Sequence, residues 1–192
     1  MWVQGSIEFK NPLLAGWHSC QEDLKFIKEL KKDHFVALKR TVRDENGTEV
    51  ANEQRTLIYT KQPVAETSAK LRQLQHFKNT YVVTFTDIDI MEYSSFSSNP
   101  HRIHWDRDYT RNVEGYRDII VQGPFLVQFV IDYCEHLFGR SVSSIKYKNT
   151  CHVYAGTDVE VCHNGLESDG KANVVLRDAK NPQKVYFESK VA

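Results

Sequence analysis

The stretch from Pro124 to Phe138 limits most strongly what this chain can fold into. Its apolar residues recur with the period of an α-helix, at positions 126, 129, 130, 133, 134, 137 and 138. Pro124 suits the first helical position, and Gly139 suits the residue just past the end. The apolar stripe is wider than one surface face, so we expect the helix to be largely enclosed. A flat sheet would leave one side of such a helix in water, so a sheet curled around it is expected.

Strands are predicted on both sides of this helix. Before it, Val83, Phe85 and residues 87–90 alternate as one strand does. A polar, turn-rich stretch from Ser94 to Arg111 then leads to the helix. After it come strand candidates at 144–154, 158–163, 173–177 and 185–190, the last two joined by a turn at 178–181.

The first third of the chain has an extended pattern instead. Residues 2–59 contain at most three or four candidate antiparallel strands and no convincing long helix, with Asp44–Gly47 as a hairpin turn. Residues 24–32 fit either a short helix or a twisted strand. Residues 61–79 are polar and fit a solvated linker or a short helix.

Composition excludes several functional classes. Lys and Arg number 25 and Asp and Glu also number 25, so no global field would attract nucleic acid or an anionic membrane. Four scattered cysteines predict no disulfide framework and favour a reducing compartment. The most apolar stretch, residues 119–138, is interrupted by five polar side chains, too many for a membrane span. No secretory signal is expected, because Glu8, Glu22 and Asp23 fall where its apolar region and cleavage site should be. A mitochondrial targeting segment would have to lie upstream of Met1 or be absent.

Candidate catalytic side chains are concentrated between Tyr93 and Tyr109. His101 and His104 lie three residues apart, and Asn99 and Asp106 flank them. An imidazole titrates near neutral pH, so His104 is a candidate general base. Asp106 more often caps a following short helix than does chemistry. Nothing supplies a second cluster of ligands, so no metal site is expected.

This segment resembles the signature of the MaoC-like, R-specific enoyl-thioester hydratases. Tyr93-Ser94 matches its aromatic-Ser start, Ile103-His104-x-Asp106 matches its hydrophobic-His-x-Asp end, and Val121-Gln122-Gly123 matches the V-x-G step into the central helix. The resemblance covers residues 80 to 190 well. It implies an α+β hot-dog fold, in which an antiparallel sheet wraps a long central helix.

Three positions depart from that signature. The family's catalytic Asp falls on Asn99, its second Asn on His101 and its Pro on Arg102. This variant resembles a branch that contains the 3-hydroxyacyl-thioester dehydratases of fungal mitochondrial fatty acid synthesis and the C4-dicarboxylate-type CoA hydratases of bacteria. Unlike the family's Asp, Asn99 cannot exchange a proton, but its amide can hold a water or a β-hydroxyl group.

The start of the chain is similar to the first, degenerate hot-dog repeat of the same branch, in residues 1–13 and 53–59. The resemblance therefore implies a double hot dog, with a degenerate half at 1–62, a linker at 63–79 and a catalytic domain at 80–192. In the family, that repeat carries a helix before the Trp. This sequence starts at Met1-Trp2, so we expect that helix to be missing, either from a shorter protein or from a truncated sequence.

The resemblance implies interconversion of (3R)-hydroxyacyl and trans-2-enoyl thioesters of acyl carrier protein or CoA, without a cofactor. His104 would take the α-proton and return it to the leaving hydroxyl, with His101 as the alternative second proton carrier. The backbone N–H of Gly123 would stabilise the enolate oxygen, with Pro124 beside it in the thioester site, although Gly123 could also be only a tight turn. Arg102 would meet a phosphate of the carrier or form a surface salt bridge.

Several alternatives stay open at this point. The first is a CoA-linked C4-dicarboxylate hydratase, and the second is a non-catalytic thioester-binding or interaction protein. A thioesterase is a weaker alternative on the same fold. By resemblance the location is mitochondrial, otherwise cytoplasmic. Strands left without their helix would suit a second copy, so a homodimer is one expected assembly.

Overall fold

The computed structural model describes residues 1–30, 32–60, 73 and 75–192 of the chain. Most of the expected linker (residues 61–72 and 74) lies outside these residues. The strands are β1 (Trp2–Phe9), β2 (Ser19–Leu30), β3 (Asp33–Arg43), β4 (Glu49–Tyr59), β5 (Asn79–Thr84), β6 (Ser144–Asn149), β7 (Asp158–His163), β8 (Ala172–Asp178) and β9 (Val185–Val191). The helices are α1 (Asp87–Phe96), a 3₁₀ turn (Arg102–His104), α2 (Arg107–Asn112) and α3 (Gly123–Phe138).

All nine strands form one antiparallel sheet in the order β2-β3-β4-β1-β6-β9-β8-β7-β5. β1 pairs with β4 on one side and with β6 on the other, and so joins the first four strands to the last five. Four strands in the first third confirm the predicted extended pattern. Of residues 24–32, for which a helix and a strand were both open, residues 24–30 belong to strand β2. The hairpin turn is confirmed as well, because Asp44 Oδ1 accepts hydrogen bonds from the backbone N–H groups of Asn46 and Thr48.

The predicted central helix is confirmed as α3, which packs against the inner face of the second half of the sheet. Gly139 ends it at φ 62°, the left-handed conformation that glycine adopts most easily. Leu137, placed in the apolar stripe by its spacing, is 44% exposed. The buried face of α3 is formed by Leu126, Val127, Val130, Ile131 and Cys134.

The predicted strand across Val83 to Ile90 is wrong beyond Thr84, because α1 begins at Asp87. A capping box starts the helix: Thr86 Oγ1 accepts from the Asp89 N–H at 3.2 Å, and Asp89 Oδ2 accepts from the Thr86 N–H at 2.7 Å. Ile90 is fully buried while Ile88 is 68% exposed, so the two do not share a face as they would in a strand.

Two other boundaries also differ from the prediction. The stretch 94–111, predicted to be turns, contains the end of α1, the 3₁₀ turn and most of α2. The strand predicted over 144–154 ends at Asn149. The Thr150 N–H still donates to the Tyr186 carbonyl of β9 at 2.8 Å. Further along, the chain pairs with the segment before α3, where the Val121 N–H donates to the Val153 carbonyl at 2.8 Å.

A close approach of two strands marks the junction between the halves of the sheet. Gly5 lies opposite both Arg55 of β4 and Tyr147 of β6, so these residues share the inner face. A Cβ atom on Gly5 would lie 2.4 Å from the Gln54 carbonyl oxygen and 2.5 Å from Tyr147 Oη. Only glycine leaves room for the Tyr147 ring at this position.

The inner face of the first half is charged and is covered by no helix among the described residues. Arg55, 8% exposed, donates to Glu22 Oε2 at 2.9 Å, and its guanidinium lies 4.9 Å from the centre of the Trp2 ring. Arg40 donates to the same Glu22 oxygen at 2.5 Å. In the described part of the chain, no helix has the length and apolar character needed to cross a bilayer.

Candidate active site

His104 is held by a two-bond pairing between the 3₁₀ turn and the segment that leads to α3. The Ile120 N–H donates to the Ile103 carbonyl at 3.0 Å, and His104 Nδ1 lies 2.6 Å from the Ile120 carbonyl oxygen. A carbonyl can only accept, so Nδ1 carries the proton. In the neutral ring Nε2 therefore has the free electron pair, as a general base requires.

The environment of His104 keeps it neutral. The residue is 7% exposed, and this desolvation lowers the pKa of the imidazole to about 4. The bond to the Ile120 carbonyl raises the pKa, and the neighbouring His101 lowers it, but both effects are smaller than desolvation. At neutral pH His104 is therefore in its proton-accepting form, although its affinity for the proton is low.

The other two predicted catalytic residues lie on the same loop. The His101 ring is exposed and perpendicular to that of His104, with 5.7 Å between the ring centres. Asn99 Oδ1 accepts a hydrogen bond from the His101 N–H at 3.3 Å, so the Asn99 side chain shapes the turn that carries both histidines. His101 and His104 are thus brought together, and Asn99 lies beside them in the chain.

Arg102 and Asp106 pair with each other. Arg102 Nη2 lies 2.6 Å from Asp106 Oδ2, and the guanidinium lies 4.0 Å from the centre of the Tyr109 ring. Asp106 Oδ1 also accepts from the Tyr109 N–H at 2.9 Å, which confirms the predicted helix cap. The salt bridge predicted as one alternative for Arg102 is present, and a role in phosphate binding stays a prediction.

An ion-pair network fastens α1 and α2 to the segment that bonds His104. Arg107 donates to Asp87 Oδ2 and to Asp118 Oδ1, each at 2.7 Å, and Arg111 donates to Asp118 Oδ2 at 2.9 Å. The two carboxylates raise the pKa of Arg107 above its usual value. Asp118 is two residues before Ile120, so the network steadies the carbonyl that orients His104.

Gly123 opens α3, with Pro124 in the first turn. A Cβ atom at Gly123 would lie 3.0 Å from Asn149 Nδ2 and 3.1 Å from Trp2 Cβ, so a side chain here would be crowded. The preceding residue, Gln122, makes no side-chain cap and instead donates to the Ile90 carbonyl at 2.8 Å and to Ser94 Oγ at 2.7 Å. Gln122 therefore ties α1 to the start of α3.

Two residues that the sequence did not single out belong to this region, namely Gln122 and Asn149. Gln122 stood inside the V-x-G motif as an unspecified position. Asn149 ends β6, and its side-chain oxygen and nitrogen are both enclosed without a hydrogen-bond partner among the described residues. No periodicity signals such a residue, because its surroundings come from elements far away in the chain.

A large groove of the described structure lies elsewhere. Its volume is about 1080 Å³, and it crosses the outer face of the sheet beneath residues 75–77, with Lys146, Lys148 and Lys190 among its lining residues. None of the predicted site residues lines it. Within the described residues, no three His, Cys, Asp or Glu side chains converge as metal ligands would.

Comparison with known proteins gives a consistent result. The sequence profile of the family described as "Hydroxyacyl-thioester dehydratase type 2" matches residues 1–155. The mitochondrial hydroxyacyl-thioester dehydratase type 2 of Saccharomyces cerevisiae is 32% identical over 200 residues, which cover all of this chain and 71% of the yeast protein. The mesaconyl-C(4)-CoA hydratase of Chloroflexus aurantiacus is 26% identical over 65 residues, 34% of this chain and 23% of that protein.

Solved structures show the fold. HtdX of Mycobacterium tuberculosis superposes with a TM-score of 0.79 at 17% identity, covering all of this chain and 73% of that one. A MaoC-like dehydratase from Phytophthora capsici gives 0.78 at 13% identity, covering all of this chain and 70% of that one. The α+β hot-dog fold expected from the resemblance is confirmed.

Proposed function

Because the chain belongs to the hydroxyacyl-thioester dehydratase type 2 family, we propose that it interconverts (3R)-hydroxyacyl and trans-2-enoyl thioesters by removing and adding water. One observation carries this proposal. A neutral His104 has its tautomer set by the carbonyl of Ile120, and Ile120 lies three residues before Gly123, the glycine that opens α3. Such a pair supplies a base and a donor for a developing oxyanion.

The reaction follows from these groups. His104 Nε2 removes the proton from C2 of the 3-hydroxyacyl thioester, and the electron pair of the C2–H bond moves toward the carbonyl oxygen. The Gly123 N–H, at the positive end of the helix dipole, stabilises that oxygen. When the carbonyl re-forms, the C2–C3 double bond appears and the C3 hydroxyl leaves, taking the proton from His104 to depart as water.

The experiment is hydration of crotonyl-CoA, followed as loss of the enoyl-thioester absorbance, for wild type, His104→Ala and His136→Ala. His136 is an exposed histidine on α3 and serves as the matched control. We expect His104→Ala to lower kcat by about 10²- to 10⁴-fold, the usual contribution of a general base, and His136→Ala to leave it unchanged. Near-normal turnover by His104→Ala would remove His104 from the mechanism.

His101→Ala in the same assay separates the two proton-transfer schemes. If His104 alone carries the proton in both directions, the exposed His101 is dispensable and the variant keeps most of its kcat. A loss as large as that of His104→Ala would make His101 the second carrier. Asn99→Ala tests the remaining role, because losing the amide that holds the β-hydroxyl should raise KM or lower kcat.

The carrier and acyl group are part of the proposal. We favour a fatty acyl group on acyl carrier protein, on the resemblance to the dehydratases of fungal mitochondrial fatty acid synthesis; the budding yeast relative is named as a hydroxyacyl-thioester dehydratase. The match to a mesaconyl-C(4)-CoA hydratase supports a second candidate, a CoA thioester of a C4 dicarboxylate. Comparing kcat/KM for crotonyl groups on the two carriers and for mesaconyl-CoA decides between them. Binding of all three without turnover would support a non-catalytic thioester-binding protein.

Location and assembly are proposed on similar grounds. The relatives from budding and fission yeast are named as mitochondrial, which supports a mitochondrial site of action.

The homodimer stays a prediction. The edge strand β2 exposes Leu24, Phe26, Ile27 and Leu30, each at least half exposed, and such apolar surface suits a partner. The mass of the protein in solution, measured by light scattering, tests it.

A further inference from the structure

The side chain of Asn149 faces the first residue of α3. Asn149 ends β6, opposite Phe187 of β9. A Cβ atom on Gly123 would lie 3.0 Å from Asn149 Nδ2 and 3.5 Å from its Cγ. The amide therefore lies directly against the space that Gly123 leaves by having no side chain. The other atom near this space is the apolar Cβ of Trp2.

This amide has no hydrogen bond of its own. Oδ1 and Nδ2 of Asn149 are both enclosed, and neither has a partner among the described residues. A buried polar group without a hydrogen-bond partner destabilises the folded protein. A leucine would fill a similar volume without that cost, so stability does not explain an asparagine at this position.

The start of α3 does not use the amide either. Helix starts present backbone N–H groups that need acceptors, yet the N-cap residue Gln122 directs its own side chain to Ile90 and Ser94. An N–H donor of Asn149 lies beside Gly123, where the helix dipole already favours negative charge. The backbone N–H groups at the start of α3 and the side-chain N–H of Asn149 therefore lie together, and no described residue supplies an acceptor for the Asn149 amide.

We propose that Asn149 Nδ2 is the second donor of the oxyanion hole, alongside the backbone N–H of Gly123. This inference rests on the proposed function and adds a catalytic residue to it. As the C2 proton moves to His104, the charge that develops on the thioester carbonyl oxygen accepts one hydrogen bond from each donor. The amide already lies beside Gly123 in the absence of substrate, and a donor positioned in advance stabilises a developing charge with little reorganisation. The second donor also offsets the low proton affinity of His104 by making the enolate easier to form.

The test is Asn149→Leu, with Lys148→Leu as the control on the same strand, where residue 148 is exposed on the other face of the sheet. We expect Asn149→Leu to lower kcat for crotonyl-CoA by about 10²- to 10³-fold, as loss of one oxyanion donor does elsewhere, with little change in KM. The midpoint of thermal unfolding should stay the same or rise, because an unpartnered polar group is removed. A kcat within about twofold of wild type would overturn the proposal.

A second measurement does not depend on turnover. Acetoacetyl-CoA forms an enolate with its own ultraviolet absorbance, and an oxyanion hole increases the enolate fraction on binding. We expect wild type to increase this absorbance, and His104→Ala to retain the increase at a pH where free enolate is present. Asn149→Leu should lose most of it. An unchanged signal in the folded Asn149→Leu variant, or no signal in wild type, would refute the oxyanion role. If crotonyl-CoA is not hydrated but the enolate signal depends on Asn149, the proposed function fails and the binding site stands.

Discussion

At the residue scale, the behaviour of His104 is set by burial and by one backbone carbonyl. The Ile120 oxygen chooses the tautomer, and desolvation lowers the pKa to about 4. The position of this histidine followed from the sequence motif. Its burial did not, because the segment at Ile120 that covers it is brought there by tertiary pairing with Tyr154.

The pH dependence of activity should report this pKa. Because protonated His104 cannot accept the C2 proton, kcat/KM for crotonyl-CoA hydration should be flat from pH 8 down to about 6 and fall as the pH approaches the value of about 4. Initial rates in a series of overlapping buffers measure it. A half-maximal rate near pH 6.5, the ordinary value for histidine, would show that His104 is hydrated in solution.

The free energy of unfolding should also depend on the protonation of His104. The folded pKa of about 4 lies below the unfolded value of 6.5, so between these values the unfolded chain binds a proton that the native protein does not. Stability is therefore complete above pH 6.5 and falls as the pH drops toward 4, by on the order of 3 kcal/mol from this group alone. His104→Gln should remove that part of the slope in urea unfolding measured at pH 7 and pH 5. His163, whose pKa is also lowered by burial, contributes equally to both proteins.

Asn149 shows what the sequence could not reveal at this scale. Its neighbours Tyr147 and Lys148 fit the alternation of a strand, and the predicted strand simply continued past it to Tyr154. The importance of the amide comes from its enclosure beside Gly123 and Trp2, contacts that join residues far apart in the chain.

At the scale of elements, local signals decided which predictions succeeded. α3 was predicted within a residue because its period, its Pro and its final Gly act within the helix itself. α1 was missed because Ile88 and Ile90 alternate like a strand, while the capping box of Thr86 and Asp89 favours a helix. The box is visible in the sequence, and giving it more weight than the alternation would have corrected the prediction.

The junction of β1 with β6 should depend on Gly5. A Cβ atom there would meet the Gln54 carbonyl and the Tyr147 hydroxyl at distances that real contacts do not reach. Gly5→Ala should therefore force the strands apart and lower the free energy of unfolding by about 1–3 kcal/mol, as overpacking does. Urea unfolding measures this, with Ser6→Ala, the next residue and on the opposite face, as the control. Equal midpoints for Gly5→Ala and wild type would show that Tyr147 can move aside without cost.

At the scale of the whole molecule, the two halves of the sheet are stabilised unequally. β8 and β9 bury Ala172, Val174, Leu176, Tyr186, Phe187, Ser189 and Val191, whereas β3 buries only Ala37 and Thr41 and β2 buries none of its residues. The division of the chain at residue 62 stays a prediction. The continuous sheet could not be foreseen from periodicity, because the pairing of β1 with β6 joins residues that lie more than a hundred positions apart.

Amide hydrogen exchange should show this difference. β3 and β8 are both interior strands of the sheet, so neither has an unpaired edge and their hydrogen bonding is comparable. Because β3 buries little apolar surface, it should open by local unfolding and exchange well before β8. Mass spectrometry of peptides from the two strands measures the rates. Equal protection would mean that the halves unfold only as one unit.

Most of the proposed catalytic groups lie in one uninterrupted length of chain, from Tyr93 to Gly123. Within it, His104 is hydrogen-bonded to the Ile120 carbonyl and Arg107 to Asp118, so the segment is held together by its own contacts up to the start of α3. We therefore expect substitutions outside this segment to leave in place the Ile120 bond that orients His104, the proposed base. Two contributions come from outside the segment: Asn149, the proposed second donor, and Tyr154, which pairs with Ile120.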